Sequence, residues 1–178
     1  MYEEVIQFWF KEIAPKQWWS KDSDFDARVH ERFLVLHQQA VAGELYAWRD
    51  QPHGRLAEII ILDQFSRNMF RDTALAFAFD PIALVLAQEA VRTGADQGLN
   101  EDERSFLYMP YMHSESLSIH EAAVTLFRTG SKPGNLEFEL RHQAIIQRFG
   151  RYPHRNAILG RTSTLEETEF LRQPGSAF

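Results

Sequence analysis

The residues best suited to chemistry lie near the C-terminal end of the chain, between Phe149 and Arg161. This short segment holds three arginines, a histidine and an asparagine, and it shows neither helical nor strand periodicity. Packing therefore does not explain its composition. Guanidinium forks beside an imidazole are suited to holding a carboxylate or another anion. The candidate ligand-binding residues here are Arg151, His154, Arg155, Asn156 and Arg161.

A second group of polar residues lies on the third predicted helix. Stepping 100° per residue places Asp63 and Arg67 on the same face as Leu56, Ile59 and Ile60, so their charges are expected to be partly desolvated. One interpretation is a structural ion pair that also helps to cap the helix end, because buried charges need partners whatever the function. The other is a ligand site, with Arg67 facing the ligand and Asp63 orienting it. The candidate ligand-binding residues on this helix are Asp63, Gln64, Arg67 and Asn68.

His142 interrupts an apolar stripe formed by Phe138, Ile145 and Phe149 on the seventh predicted helix. A single histidine in such a stripe is either a hydrogen-bonded core residue or a functional base. The sequence leaves both interpretations open.

His113 and Glu115 form a further concentration of polar groups, in the segment from Tyr108 to Glu115. Glu115 could bond backbone N–H groups at the start of the next helix. It could instead accept a proton from an arginine of the C-terminal segment, or pair with one. The candidate catalytic residues are therefore His113, Glu115, His142 and His154.

The composition sets limits on the class of protein. The chain has 178 residues, of which 44% are apolar, and this is enough for one domain, residues 1–178, with a sizeable core. The formal net charge of −6 disfavours an electrostatic nucleic-acid footprint. The absence of cysteine excludes disulfides, thiolate nucleophiles and cysteine-ligated metal sites. The N-terminal residues lack the order of a secretory signal and no run suggests a membrane span, so we expect a soluble cytoplasmic protein.

Helical periodicity dominates the chain, and no alternation typical of strands is evident. The pattern predicts an all-α fold of about eight helices without a sheet. Short connections favour antiparallel packing of successive helices. The first four predicted helices cover roughly residues 2–13, 22–42, 52 to 66 or 70, and 80–93. A fifth begins near 100, a sixth runs from 114 or 116 to before 130, a seventh covers 136–148, and a short eighth follows 163 or 164.

Capping signals support several of these boundaries. They are Asp22, Ser23 or Asp24 before the second helix, Asn100 with Glu103 before the fifth, and Ser163 with Glu166 or Thr164 with Glu167 before the eighth.

Several specific functional signatures are absent. His120 and Glu121 begin like a zinc-protease helix, but Val124 stands where the second histidine is required. The chain has no nucleophile elbow, no phosphate-binding P-loop and no dinucleotide glycine fingerprint. We therefore expect no bound metal and no cofactor.

Three long motifs give the chain a resemblance to a known family. They are Asp-Gln-Phe-x-Arg-Asn-x-Phe-Arg at 63–71, Phe-x-Tyr-Met-Pro-x-x-His-Ser-Glu at 106–115, and Phe-Gly-Arg-Tyr-Pro-His-Arg-Asn-x-x-Leu-Gly-Arg at 149–161. The chain resembles the bacterial family called domain of unknown function 924. The resemblance implies an all-helical fold similar to tetratricopeptide-like arrays of helix pairs, and it implies no activity. His120 stands where a glutamine is expected in relatives, which argues against an essential role for that side chain.

Three interpretations of function stay open at this point. The first is a module that binds a small anion, a carboxylate or an acidic peptide through arginine, histidine and asparagine side chains. The second is a hydrolase or transferase for a small anionic substrate, with a histidine as general base. The third is a purely structural polar network. All three predict that residues 63–71, 108–115 and 150–161 converge in space, and the oligomeric state is not determined.

Overall fold

The computed structural model describes residues 1–176, and within that range the chain forms eight α-helices and no strand. The helices are α1 (Tyr2–Gln7), α2 (Ser23–Val41), α3 (Pro52–Ile60, continued to Met69), α4 (Asp80–Arg92), α5 (Glu101–Met112), α6 (Leu117–Gly130), α7 (Pro133–Phe149) and α8 (Leu165–Phe170). The all-α prediction is confirmed. The finer tetratricopeptide-like arrangement stays a prediction.

The predicted capping residues begin three of these helices. The Asp22 side chain accepts hydrogen bonds from two backbone N–H groups at the start of α2. Asn100 and Glu103 form a capping box at α5, and Thr164 and Glu167 form another at α8. In each case a side-chain oxygen satisfies backbone donors that a helix start leaves without partners.

Two helices contain a wider turn that regular periodicity does not predict. The first helix was predicted to run to Ile13, but π-helical geometry replaces it over Phe8–Glu12. In α3 the turn Ile61–Phe65 is also π-helical, and the helix then continues over Ser66–Met69. Such a turn changes the backbone hydrogen-bond spacing, and side chains supply donors there. Ser66 Oγ donates to the Leu62 carbonyl at 2.7 Å.

The third helix lies at the centre of the main core. It packs against α1, α2, α4 and α5, and its apolar side chains have no exposed surface from Ile59 to Leu62. Consecutive helices α5, α6 and α7 pack side by side, joined by short connections. A smaller apolar cluster of Ile145, Ile146 and Tyr152 fixes the segment after α7 against that helix. The packing therefore fixes the positions of α3 and of the segment after α7, which both contribute residues to the site described below.

One stretch, Ala74–Arg92, is long and apolar enough by composition to cross a membrane, with a mean hydropathy of 1.6. The expectation that no run suggests a span is therefore corrected. Its regular helix covers only Asp80–Arg92, and 13 residues at 1.5 Å each span about 20 Å, short of the ~30 Å of a bilayer core. The structure is that of a soluble helical domain with one weak candidate apolar helix.

Candidate functional site

Three segments that are distant in sequence meet around two aspartates. Asp63 comes from the wide turn of α3, His113 ends α5, and Arg155 comes from the segment after α7. Arg67 and Asp80, at the start of α4, join them through ion pairs. We call these five residues the central cluster. The predicted convergence of the three segments is present in the structure.

Asp63 and His113 form a close, buried pair. The Nδ1–H of His113 donates to Asp63 Oδ1 at 2.7 Å, and the aspartate has no exposed surface. Gln64 Nε2 donates to the second carboxylate oxygen at 2.6 Å and also lies 3.4 Å from the sulfur of Met109. With Nδ1 protonated, a neutral ring presents Nε2 as a hydrogen-bond acceptor. The side chain of His113 is 16% exposed, so the ring is not sealed in the core.

The charges around this pair set its protonation state. Burial alone raises the pKa of Asp63, but the nearby Arg67 and His113 hold that pKa below its usual range. Burial, together with the charge of Arg67, lowers the pKa of His113 despite the attraction of Asp63. At neutral pH the pair is therefore an ionised carboxylate beside a neutral imidazole. This is the arrangement in which an aspartate orients a histidine as a base.

Asp80 holds the two arginines of the central cluster together. Arg67 donates to both Asp80 oxygens, at 2.8 and 2.9 Å, and its Nη1 also lies 3.0 Å from Asp63 Oδ1. The same Nη1 donates to the Asp63 carbonyl at 2.8 Å, inside the wide turn. Arg155 Nη1 reaches Asp80 Oδ2 at 3.2 Å. The predicted Asp63–Arg67 ion pair exists, but Arg67 makes its two-pronged contact with Asp80.

Arg155 is the least satisfied member of the central cluster. Its guanidinium carbon lies 4.6 Å from the ring centres of both Phe77 and Tyr152, so two aromatic faces hold it. The side chain is only 8% exposed, and its buried Nε–H has no hydrogen-bond acceptor among the described residues. Burial lowers the pKa of Arg155, and the charge of Arg67 adds to this effect.

Three aromatic residues, His142, Tyr152 and His154, lie close together at α7. His142 Nδ1 donates to the Phe138 carbonyl at 2.8 Å, which is the hydrogen bond of a core histidine. Its ring and that of His154 lie 5.8 and 5.6 Å from the Tyr152 ring. Burial lowers the pKa of His142 to about 3, and burial with the charge of Arg155 lowers the pKa of His154 to about 4. Both rings are therefore neutral at physiological pH.

A buried hydrogen-bonded chain lies behind Tyr152. His120 contacts the Ser114 carbonyl through Nε2 at 2.8 Å and Glu139 through Nδ1 at 2.7 Å. A carbonyl can only accept, so Nε2 of His120 carries a proton and donates it in a hydrogen bond to Ser114. Burial raises the pKa of Glu139, although the hydrogen bond and charge of His120 oppose this effect. The side chain of His120 therefore serves internal contacts.

The remaining arginines of the C-terminal segment have carboxylate partners of their own. Arg161 donates to both oxygens of Glu115, at 2.6 and 2.9 Å, and Glu115 also accepts from the Tyr152 backbone N–H. Of the two sequence interpretations of Glu115, the pairing with a C-terminal arginine is the one observed. Arg151 holds Glu167 in the same two-pronged way, at 2.7 and 2.9 Å.

Asn156 and Asn68 lie outside the central cluster. Asn156 is buried and joins Arg161 to Ser163, so it organises the loop itself. Asn68 turns to the other side of α3, where it donates to Asp26 of α2 at 2.8 Å. Arg71 binds the same Asp26, so Asn68 and Arg71 together connect α3 to α2.

Sequence reasoning missed three residues that shape the cluster: Asp80, Phe77 and Tyr152. Asp80 precedes Pro81 and looks like an ordinary helix start, so the sequence does not indicate that it accepts hydrogen bonds from both Arg67 and Arg155. Phe77 and Tyr152 are indistinguishable in the sequence from core aromatics.

Among residues 1–176, no three histidine, aspartate or glutamate side chains are grouped so that they could hold a metal ion.

Comparison with known proteins identifies the family. Residues 5–175 match the model of a family described as bacterial protein of unknown function (DUF924). The chain belongs to this family. The resemblance inferred from the three motifs is thus confirmed, and membership carries no activity because none is assigned to the family.

A solved structure shares the fold. It is that of a protein of unknown function, ATU0120, from Agrobacterium tumefaciens, which is 40% identical to this chain. The similarity covers 96% of both chains with a TM-score of 0.91. Comparison with curated proteins gives no match.

Proposed function

We propose that the central cluster binds a small anion of the carboxylate or phosphate class. The observation that carries this proposal is Arg155. Its guanidinium is almost fully buried, two aromatic rings fix its plane, and its Nε–H has no described acceptor. A buried charged donor without an acceptor is costly, and an anionic ligand supplies that acceptor.

The electrostatics of the cluster favour the same ligand. Arg67 and Arg155 share Asp80 Oδ2, at 2.9 and 3.2 Å, so one carboxylate oxygen serves two cations. Burial is the main cause of the lowered pKa of Arg155, and the charge of Arg67 adds to it. An anion close to Arg155 would offset the repulsion between the two guanidinium groups and form charge-assisted hydrogen bonds with Arg155. The limited exposure of Arg67, 19%, favours a small ligand over an extended acidic peptide.

His113 adds a second requirement to the ligand. Because its neutral ring offers an unprotonated Nε2, this nitrogen repels a bare anion and accepts a hydrogen bond from a hydroxyl group. The preferred ligand therefore combines an anionic group for Arg155 with a hydroxyl for His113. A 2-hydroxy acid or a singly protonated phosphate has this combination.

The test is calorimetric titration and thermal shift of the full chain with phosphate, lactate and propionate. We expect lactate to bind more tightly than propionate, which has the same size but lacks the hydroxyl, and bound anions to raise the melting temperature by mass action. Arg155→Met removes the charge and keeps the length of the side chain, and it should abolish both effects.

Arg151→Met is the matched control, since Arg151 belongs to the same loop but is occupied by Glu167. Binding should persist in this variant. Equal binding to the two arginine variants, or no binding of any of the three anions to the unaltered chain, would refute the proposal.

The Asp63–His113 pair favours a second candidate function, proton transfer by His113 Nε2 on the bound anion. Asp63 orients the ring through a 2.7 Å hydrogen bond, and the ring is neutral, as a general base must be. Turnover of aryl phosphate and carboxylate ester substrates should disappear in His113→Gln, while anion binding through Arg155 remains. Equal turnover in the variant and the unaltered chain would exclude this role.

We also propose that the protein works in the cytoplasm, independently of nucleic acid and membranes. A chain without cysteine is compatible with a reducing compartment, and a net charge of −6 does not attract polyanions. Cell fractionation with an antibody to the protein tests this, and recovery in the membrane fraction would contradict it.

A further inference from the structure

A cavity of about 350 Å³ lies away from the central cluster, where the C-terminal ends of α4 and α6 meet the beginning of α5. Its walls come from Val91, the turn after α4, Arg104 and Tyr108 of α5, and Thr129 and Gly130 of α6. Known small-molecule sites start at about 300 Å³, so this cavity suits a ligand of few atoms.

Asp96 is the unusual residue of this cavity. Its surface is only 3% exposed, and it lies in the short turn after α4. One oxygen, Oδ2, accepts from Tyr108 Oη at 2.7 Å and from Gln97 Nε2 at 2.9 Å. The other oxygen, Oδ1, accepts no hydrogen bond from a side chain of residues 1–176, and it is not among their fully buried polar atoms, so it stays accessible from the cavity.

A buried carboxylate normally has a cationic partner or a full set of donors, because its removal from water is costly. Asp96 has two neutral donors on one oxygen and none on the other. An ammonium group in the cavity would give the second oxygen a charged donor. Asp96 therefore indicates a ligand with an ammonium group.

Arg104 specifies the other half. Its Nε donates to the Gly130 carbonyl at 2.6 Å and its Nη1 to the Leu99 carbonyl at 3.1 Å, so two neutral acceptors fix the guanidinium at the cavity wall. Within the described residues no carboxylate pairs with it, and Nη2 donates no hydrogen bond. A positioned guanidinium with a remaining donor is suited to a carboxylate.

We propose that this cavity binds a small zwitterion, with its ammonium group on Asp96 and its carboxylate on Arg104. The chemical class is that of the free α-amino acids, which carry both groups on one carbon. The volume of about 350 Å³ favours those with short side chains. This second site is separate from the central cluster and does not depend on anion binding there.

The experiment is isothermal titration of the full chain with glycine, alanine and serine, beside their N-acetyl and carboxamide derivatives. N-acetylation removes the ammonium group that Asp96 requires, and amidation removes the carboxylate that Arg104 requires. We expect saturable binding of at least one free amino acid, with both of its derivatives weaker by at least about tenfold. The absence of saturable binding, or equal binding of a derivative, would overturn the proposal.

Variants locate the binding. Asp96→Asn keeps the shape but removes the charge, and it should weaken binding by at least about tenfold. Asp50→Asn removes a carboxylate from an exposed position and should leave binding unchanged.

Val91→Phe fills the cavity without altering Asp96, which keeps the proposal testable if Asp96→Asn does not fold. Arg155→Met should also bind normally, and unchanged binding in both cavity variants would refute the site.

Discussion

Replacement of Asp63 by asparagine is the sharpest test of the central cluster. The Asp63 side chain has no exposed surface and contacts three donors, His113 at 2.7 Å, Gln64 at 2.6 Å and Arg67 at 3.0 Å. The asparagine has nearly the same shape but no charge, and its NH₂ group faces donors instead of acceptors. Arg67 keeps Asp80 but loses half of its neutralising charge.

Breaking one partner out of a buried ion pair costs about 3–5 kcal/mol, since it leaves the other charge uncompensated. With a urea m-value of roughly 2 kcal/mol/M, this lowers the unfolding midpoint by about 1.5–2.5 M. The measurement is urea unfolding followed by tryptophan fluorescence, to which the buried Trp9 contributes. Asp50→Asn, at an exposed position, serves as the control and should show almost no shift.

Asp63→Asn should also change the pKa of His113. Asp63 raises the pKa of this histidine by charge and hydrogen bond, so its removal should lower the pKa further. Titration of the ring by NMR measures the change. A midpoint shift below about 0.5 M at unchanged m-value, or a pKa of His113 that rises in Asp63→Asn, would show that the buried pair does not have the role argued here.

Two further predictions concern the fold. A methyl group added at Gly54 would lie 2.0 Å from the Trp48 carbonyl oxygen, whereas one at Gly134 would meet nothing within 4 Å. Gly54→Ala should therefore destabilise the protein by several kcal/mol, about 3 or more, and Gly134→Ala should stabilise it by about 0.5 kcal/mol, as thermal unfolding can measure. Acid should weaken the fold well before the carboxylates titrate, because burial lowers the pKa of three histidines from 6.5. These are His37 to about 4, His142 to about 3 and His154 to about 4. The unfolded chain binds more protons than the folded one between pH 6.5 and about 4, so each group removes up to about 1.4 kcal/mol of stability per pH unit of acidification in that window. Urea midpoints that stay constant from pH 6.5 to 4.5 would contradict this reasoning.

Much of the fold was predictable because helix signals are local. Periodicity and capping residues such as Asp22 and Asn100 act within a few positions of the chain, and they predicted the helices and most of their starts. The wide turn at Ile61–Phe65 was not predictable in this way. Its stability depends on tertiary packing around α3 and on donors such as Ser66, which periodicity does not encode.

The candidate site was predictable as a set of residues but not as a set of contacts. Charged residues on an apolar helix face and in an aperiodic loop indicated Asp63, His113 and Arg155, and these do converge. Their partners come from distant segments, since Asp80 lies 75 residues before Arg155. Local patterns carry no information about such contacts.

The three arginines of the C-terminal loop show why composition cannot separate structure from function. Arg151 and Arg161 each hold one largely buried carboxylate with two hydrogen bonds, so a substitution there leaves that carboxylate without its cationic partner. Arg155 differs, because Asp80 keeps both of its bonds to Arg67 when Arg155 is replaced.

Arg155→Met should therefore cost little stability, about 1 kcal/mol or less, as methionine fills the space between the two aromatic rings. Arg67→Met removes a cation from both Asp63 and Asp80 and should cost about 3–5 kcal/mol. Urea unfolding of the two variants measures this difference. A buried arginine that the fold scarcely needs is best explained by a ligand, and a large loss of stability in Arg155→Met would instead assign the whole cluster to the fold.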